Sequence, residues 1–209
     1  LGAGTGSDAA VVKGIGDYLS ARARLFRTGV AVDVEPIEAM LVANVTEAFG
    51  PRVRGLAPAV RLLRALPARE AVIADARVQR WEWLRTPVGI RKADALDHGD
   101  GLRLPGPTDT AWDLAGVAIE FGLDDEALSR LIEHCAGAAG DDVAALREAV
   151  EAYRAPYAAY WLGDAMLSAS EATTEADRQR FQAEARRYRR ALSQTLECVN
   201  ADWSSPGAA

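Results

Sequence analysis

The sequence predicts a mainly helical α+β fold with a small β hairpin inside it. Apolar residues recur every three or four positions through most of the 209 residues, as in amphipathic helices. Between residues 81 and 93 the pattern becomes aromatic and alternating around a Pro-Val-Gly turn, which is typical of a hairpin. The hydrophobic content of 49% is too high for a disordered chain and sufficient for a core. We expect one domain over residues 8–201, with a flexible leader at 1–7 and a loose tail at 202–209.

Three helices are predicted before the β region. The first follows an N-cap at Ser7 or Asp8, because these side chains accept hydrogen bonds from free backbone N–H groups. A turn containing Gly29 follows this helix. The second helix begins near Pro36, which a first helical turn tolerates, and the third stops at Pro67.

The β region is predicted from short runs separated by a turn. Residues 71–74 form a brief apolar run, and residues 81–86 alternate as a half-buried strand does. A second strand at 90–93 leads into Asp94. An irregular loop rich in Asp, Gly and Pro then extends to about residue 109.

Four further helices complete the prediction. Their N-caps are Thr108 or Asp109, Asp124, Asp141 and Thr174. Pro156 is expected to kink the third of them, because proline removes a backbone donor within a helix. The arginine-rich outer face of the last helix is interpreted as a solvated surface.

Composition excludes several classes of protein. The net charge of −6 argues against a nucleic-acid-binding protein, and no apolar run is long enough to span a membrane. Cys135 and Cys198 are too few for a disulfide framework and lack metal-ligand spacing. We therefore expect a cytoplasmic protein. The 22 arginines against 2 lysines, Lys13 and Lys92, are typical of a GC-rich bacterial gene.

One glycine-rich stretch and two aspartate pairs have simpler explanations than catalysis. The glycines of Gly2-Ala3-Gly4-Thr5-Gly6 suggest a phosphate loop, but no strand precedes them, so a flexible leader is favoured. Asp124-Asp125 and Asp141-Asp142 stand at predicted helix starts, where aspartate caps the helix.

A third acidic group is the candidate cation site. Six potential ligands lie within twenty residues: Asp94, Asp97, His98, Asp100, Asp109 and Asp113. Carboxylates concentrated in one loop repel one another unless a cation lies between them. The alternative is that they serve as helix caps and turn residues.

The stretch Gly106-Pro107-Thr108-Asp109-Thr110-Ala111-Trp112-Asp113-Leu114-Ala115 resembles the aminoglycoside phosphotransferase and choline kinase group. The resemblance implies a kinase-like C-terminal lobe, mainly helical with a small hairpin. It implies that Asp109 and Asp113 cap a helix and hold the catalytic loop. It also implies Mg²⁺ and ATP as cofactors, with γ-phosphoryl transfer to a hydroxyl group of a small polar substrate.

The family's metal-binding aspartate ends a strand, so the resemblance places it at Asp94 first. Asp100 is second because its spacing to Asp109 is closer to the family's, and Asp97 remains open. The family's metal-binding asparagine aligns with Glu82, which could also hold a cation.

The catalytic loop departs from the family pattern. Alignment through the hairpin puts Arg77 at the position of the catalytic aspartate, and arginine cannot accept a proton. Asp75 is then the candidate base, provided that the loop is rearranged. His98-Gly99-Asp100 spells the family's motif, but it lies too close to Asp109 to leave room for the hairpin.

A kinase also needs an N-terminal lobe, which nothing before Val11 supplies. Three explanations stay open: the lobe was removed, a second polypeptide provides it, or the lineage has abandoned ATP. The alternative hypothesis is a catalytically inactive, pseudokinase-like binding or scaffold module that docks a partner through the surface the lobe would cover.

Overall fold

The computed structural model describes residues 8–94 and 108–204, and its backbone contacts divide the chain into two compact units. Unit 1 comprises residues 1–33 and 66–153, and unit 2 comprises residues 34–65 and 154–209. The predicted leader at 1–7 lies outside the described residues. The prediction of a single domain over 8–201 stays a prediction.

Seven helices and four strands are present in the described ranges. In chain order they are α1 Ala9–Leu25, β1 Arg27–Ala31, α2 Glu35–Phe49, α3 Leu56–Ala65, β2 Glu70–Val72, β3 Trp83–Thr86, β4 Gly89–Lys92, α4 Thr110–Phe121, α5 Asp125–Ala139, α6 Val143–Glu171 and α7 Glu175–Ser204. This confirms the mainly helical prediction with small antiparallel sheets. No described helix is both long and apolar enough to cross a membrane. Helix α7 extends into the segment predicted as a tail.

Side chains cap the starts of several helices, as predicted. The Asp8 carboxylate accepts the Ala10 N–H at 2.9 Å, and Asp124 accepts the N–H of Ala127 at 2.8 Å. Thr174 begins α7 by accepting the N–H of Asp177 at 3.0 Å.

The predicted cap of α6 is wrong by one residue. Asp142, not Asp141, accepts the Ala145 N–H at 2.8 Å. Asp141 instead pairs with Arg69, whose Nη2 lies 3.1 Å from its carboxylate. Either aspartate satisfies the capping pattern, and the long-range arginine determines which one caps. Helix α6 continues through Pro156.

The predicted hairpin is confirmed. Strands β3 and β4 pair antiparallel, with Trp83 opposite Lys92 and Thr86 opposite Gly89. Gly89 adopts φ +110°, a backbone conformation that favours glycine. Strand β4 ends at Lys92, one residue before the predicted end at 93.

The turn predicted around Gly29 is instead part of strand β1, which pairs antiparallel with β2. The pairing is irregular between Arg27, opposite Val72, and Ala31, opposite Glu70. Most of β1 is exposed, so its sequence lacks the apolar alternation by which strands are recognised.

Helix α4 is the centre of unit 1. Eleven of its residues are buried, and Trp112 packs edge-on against Tyr153 at 6.1 Å between ring centroids. The surrounding core includes Ile15 of α1 and Leu131 of α5. Polar side chains on α4 are therefore buried and require partners inside the protein.

Within unit 2, small residues allow close approach between helices. A Cβ at Gly163 of α6 would lie 2.6 Å from the Asn44 side chain, and Asn44 donates to the Ala159 carbonyl at 3.0 Å. Gly55 adopts φ +87° directly against the backbone of Leu196. Glycine is required there for both conformation and space.

Candidate functional site

The loop at residues 73–79 is held by one buried aspartate of α4. The two oxygens of Asp113 accept the N–H groups of Asp75 at 2.8 Å and Ala76 at 2.7 Å. Ala76 adopts φ +63°, which is strained for alanine, and these hydrogen bonds hold it there. The role that the resemblance implies for Asp113 agrees with this geometry.

Burial and the neighbouring Asp75 carboxylate raise the pKa of Asp113 to about 7, although the two backbone N–H groups act in the opposite direction. The protein interior disfavours a second negative charge next to Asp75. The Asp113 carboxyl group that holds the loop is therefore harder to ionise than an exposed aspartate.

Five side chains meet where this loop faces the hairpin and α1, and we call them the Lys92 cluster: Tyr18, Asp75, Arg77, Glu82 and Lys92. The Lys92 Nζ lies 3.2 Å from Asp75 Oδ1 and 2.5 Å from Glu82 Oε2. The Lys92 side chain is 2% exposed. One ammonium group therefore bridges two buried carboxylates.

Tyr18 completes the partners of Asp75. Its hydroxyl donates to Asp75 Oδ2, and its ring stands edge-on to Trp83 with centroids 5.4 Å apart. Burial and the Asp75 carboxylate raise the pKa of the Tyr18 hydroxyl, so it remains a donor. Helix α1 thus places a neutral donor on the carboxylate that was predicted to be the base.

Arg77 supplies the second cation of the cluster. Its Nε lies 3.5 Å from Glu82 Oε1, and its backbone N–H donates to Asp75 Oδ1 at 3.2 Å. Within the described residues, the two carboxylates of the cluster thus lie against two basic side chains, Arg77 and Lys92.

The remaining predicted site residues are not members of the cluster. Asp94 is exposed beyond the end of β4, and its backbone carbonyl accepts a hydrogen bond from Lys92. Asp109 caps α4 by accepting the Ala111 N–H at 2.9 Å and also pairs with Arg69. Burial raises the pKa of Asp109 despite that pairing. Three predicted ligands fall outside the described residues: Asp97, His98 and Asp100.

The described residues do not fit a magnesium site. Within 8–94 and 108–201, no group of three or more His, Cys, Asp or Glu side chains is arranged to hold a metal ion. Glu82, which aligns with a metal-binding residue of the family, and Asp75, the candidate base, have the Lys92 ammonium between them. A divalent cation would have to displace that ammonium from a buried position.

Sequence reasoning missed Lys92 and Tyr18. Lys92 lies two residues after the buried Ile90 in β4, and a strand's side chains alternate between its two faces. This spacing indicates an inward-facing lysine and could have found it. Tyr18 had no such signal, because its contact with Asp75 joins residues 57 positions apart.

Comparison with protein-family models, curated proteins and solved structures gave no match.

Proposed function

We propose that this chain is a catalytically inactive binding or scaffold module related to small-molecule phosphotransferases. One observation carries the proposal: the buried Lys92 ammonium lies between Asp75, the candidate base, and Glu82, which aligns with the family's metal-binding asparagine. The chain's own cation thus lies between both acids.

A general base must present a free carboxylate oxygen within hydrogen-bond reach of the substrate hydroxyl. Asp75 is 1% exposed, and its oxygens already accept from Tyr18 and from the Arg77 backbone, in addition to the Lys92 ion pair. Arg77, at the aligned position, stays protonated. Neither group supports proton abstraction.

Two aspartates support the kinship itself. Asp109 caps α4, and Asp113 holds the loop that precedes the hairpin, which are the roles that the resemblance implies for them. These contacts support a loop framework like that of the family, with different side chains on it. A loop held by Asp113, with its acids paired to basic side chains, suits a module that presents a fixed surface.

The test is ligand binding and turnover by the full chain. Thermal unfolding and phosphate release are measured with increasing Mg²⁺ and ATP, for the wild type and for Asp94→Asn. A ligand that binds the folded state raises the melting temperature with concentration. We expect no saturable rise and no phosphate release.

Asp125→Asn is the matched control, since it removes an exposed carboxylate at the start of α5. A saturable rise that Asp94→Asn abolishes and Asp125→Asn preserves would overturn the proposal. Release of phosphate above the rate without protein would do the same.

A further inference from the structure

One face of helix α7 carries arginines that nothing in the described chain neutralises. Arg186, Arg189 and Arg190 are exposed and lie three or four residues apart, so they share one side of the helix. No acidic residue stands three or four positions from any of them. We call these three residues the arginine face.

Other arginines of the same helix are paired. Arg178 lies 2.6 Å from Glu175, and Arg180 lies 3.7 Å from Asp177. Across the described residues, Arg186 and Arg190 form neither an ion pair nor a hydrogen bond. Like charges one helical turn apart repel each other, so the arrangement disfavours the isolated helix.

Arg189 fixes this face against the end of helix α2. Its Nη1 donates to the Ala48 carbonyl at 2.7 Å, and its guanidinium stacks 4.9 Å from the centre of the Phe49 ring. A cation here satisfies a carbonyl at a helix C-terminus. Arg186 and Arg190 flank this anchored residue, with their guanidinium groups available to an external anion.

We propose that the arginine face docks an acidic segment of a partner protein, whose carboxylates pair with Arg186 and Arg190. Guanidinium groups bind carboxylates through two parallel hydrogen bonds, so residues one turn apart match acidic residues at the same spacing. A nucleic acid fits less well, because it requires phosphate contacts along a longer stretch than these three residues provide. The inference stands independently of the Lys92 cluster, which belongs to unit 1.

The probe is a poly-L-glutamate peptide titrated into the ¹⁵N-labelled full chain and followed by backbone amide chemical shifts. We expect saturable shifts confined to residues near the arginine face. The double variant Arg186→Gln/Arg190→Gln weakens binding by about threefold to tenfold, since exposed ion pairs contribute modestly. Arg186→Lys/Arg190→Lys gives an intermediate loss, because lysine cannot pair through two parallel hydrogen bonds.

Arg178→Gln/Arg180→Gln is the matched control: it removes the same charge from the same helix but spares the arginine face. It should change the affinity by less than twofold, on the scale of screened surface charges. Equal losses in both double variants, or no saturable shift in the wild type, would overturn the inference. Tighter binding of a single-stranded oligonucleotide of equal charge would also overturn it, in favour of a nucleic-acid surface.

Discussion

The Lys92 cluster and the charged surface of helix α7 use the same residue types to opposite effect. In the cluster, a lysine that is 2% exposed bridges two carboxylates from different parts of unit 1. On α7, pairs such as Arg178 with Glu175 join neighbouring turns in open solvent. Desolvation makes a buried partner indispensable, whereas water replaces an exposed one at little cost. The contribution of a charge pair to the stability of this chain therefore depends on its burial more than on the distance between the charges.

The largest effect is expected from Lys92→Met. The substitution leaves Asp75 and Glu82 buried without the Lys92 ammonium, and breaking a buried ion pair in this way costs about 3–5 kcal/mol. Urea unfolding measures the loss. The control is Lys13→Met, the chain's other lysine, whose ion pair with Asp17 is exposed. We expect its cost to stay below about 1 kcal/mol, and similar losses at both positions would remove the distinction between the two regions.

The second-largest expected effect is a pH dependence of the free energy of unfolding, which Asp113 causes. Its pKa of about 7 lies above the ordinary value of 3.8, so the folded state holds the proton more tightly than the unfolded state. By linkage, the free energy of unfolding falls as the pH rises from about 4 to about 7, by at most about 1.4 kcal/mol per pH unit. Burial also raises the pKa of Asp109, which adds to the same pH dependence. Asp113→Asn should therefore flatten, without abolishing, the slope measured by urea unfolding at several pH values.

Glu175→Gln is the control for this slope. Hydrogen bonds from Gln179 and Arg178 lower the pKa of Glu175, so any contribution it makes lies at more acidic pH. An unchanged slope in Asp113→Asn would show that the buried carboxyl group does not titrate in this range.

A smaller loss is expected from Tyr18→Phe, which removes one donor from Asp75 and keeps the ring packed against Trp83. Hydrogen bonds to charged groups contribute about 1.5–3 kcal/mol. Tyr153→Phe is the control, because it removes a hydroxyl from a buried tyrosine ring without touching the cluster. Equal destabilisation by the two variants in urea would contradict the role of Tyr18.

The smallest effect is expected from Arg178→Gln. Its partner Glu175 is fully exposed, and solvent takes over the interaction. The urea midpoint should not change measurably. A clear decrease would mean that the surface of α7 is as dependent on its charge pairs as the cluster is.

Sequence reasoning succeeded where the determinants are local. Helix caps such as Asp8 and Asp124 and the hairpin turn at Gly89 follow from a few adjacent residues. It failed where a distant residue decides, as in strand β1, whose partner β2 lies about forty residues away and whose exposed side chains do not alternate.

The candidate site shows the same division. Asp113 could be singled out because its motif is continuous in sequence, and its carboxylate accepts the N–H groups of Asp75 and Ala76. Lys92 was overlooked because charged residues at the end of a short strand are usually exposed. The ion pairs of the Lys92 cluster form only when folding brings together side chains of α1, the loop at residues 73–79 and the hairpin.

A double-mutant cycle between Lys92 and Glu82 tests the central claim most directly. The free energies of unfolding of the wild type, Lys92→Met, Glu82→Gln and the double variant give the coupling between the two side chains. We predict a coupling of about 2 kcal/mol or more, because each residue is the other's buried partner at 2.5 Å. A coupling near zero would mean that Lys92 does not neutralise this acid, and the account of the cluster would be wrong.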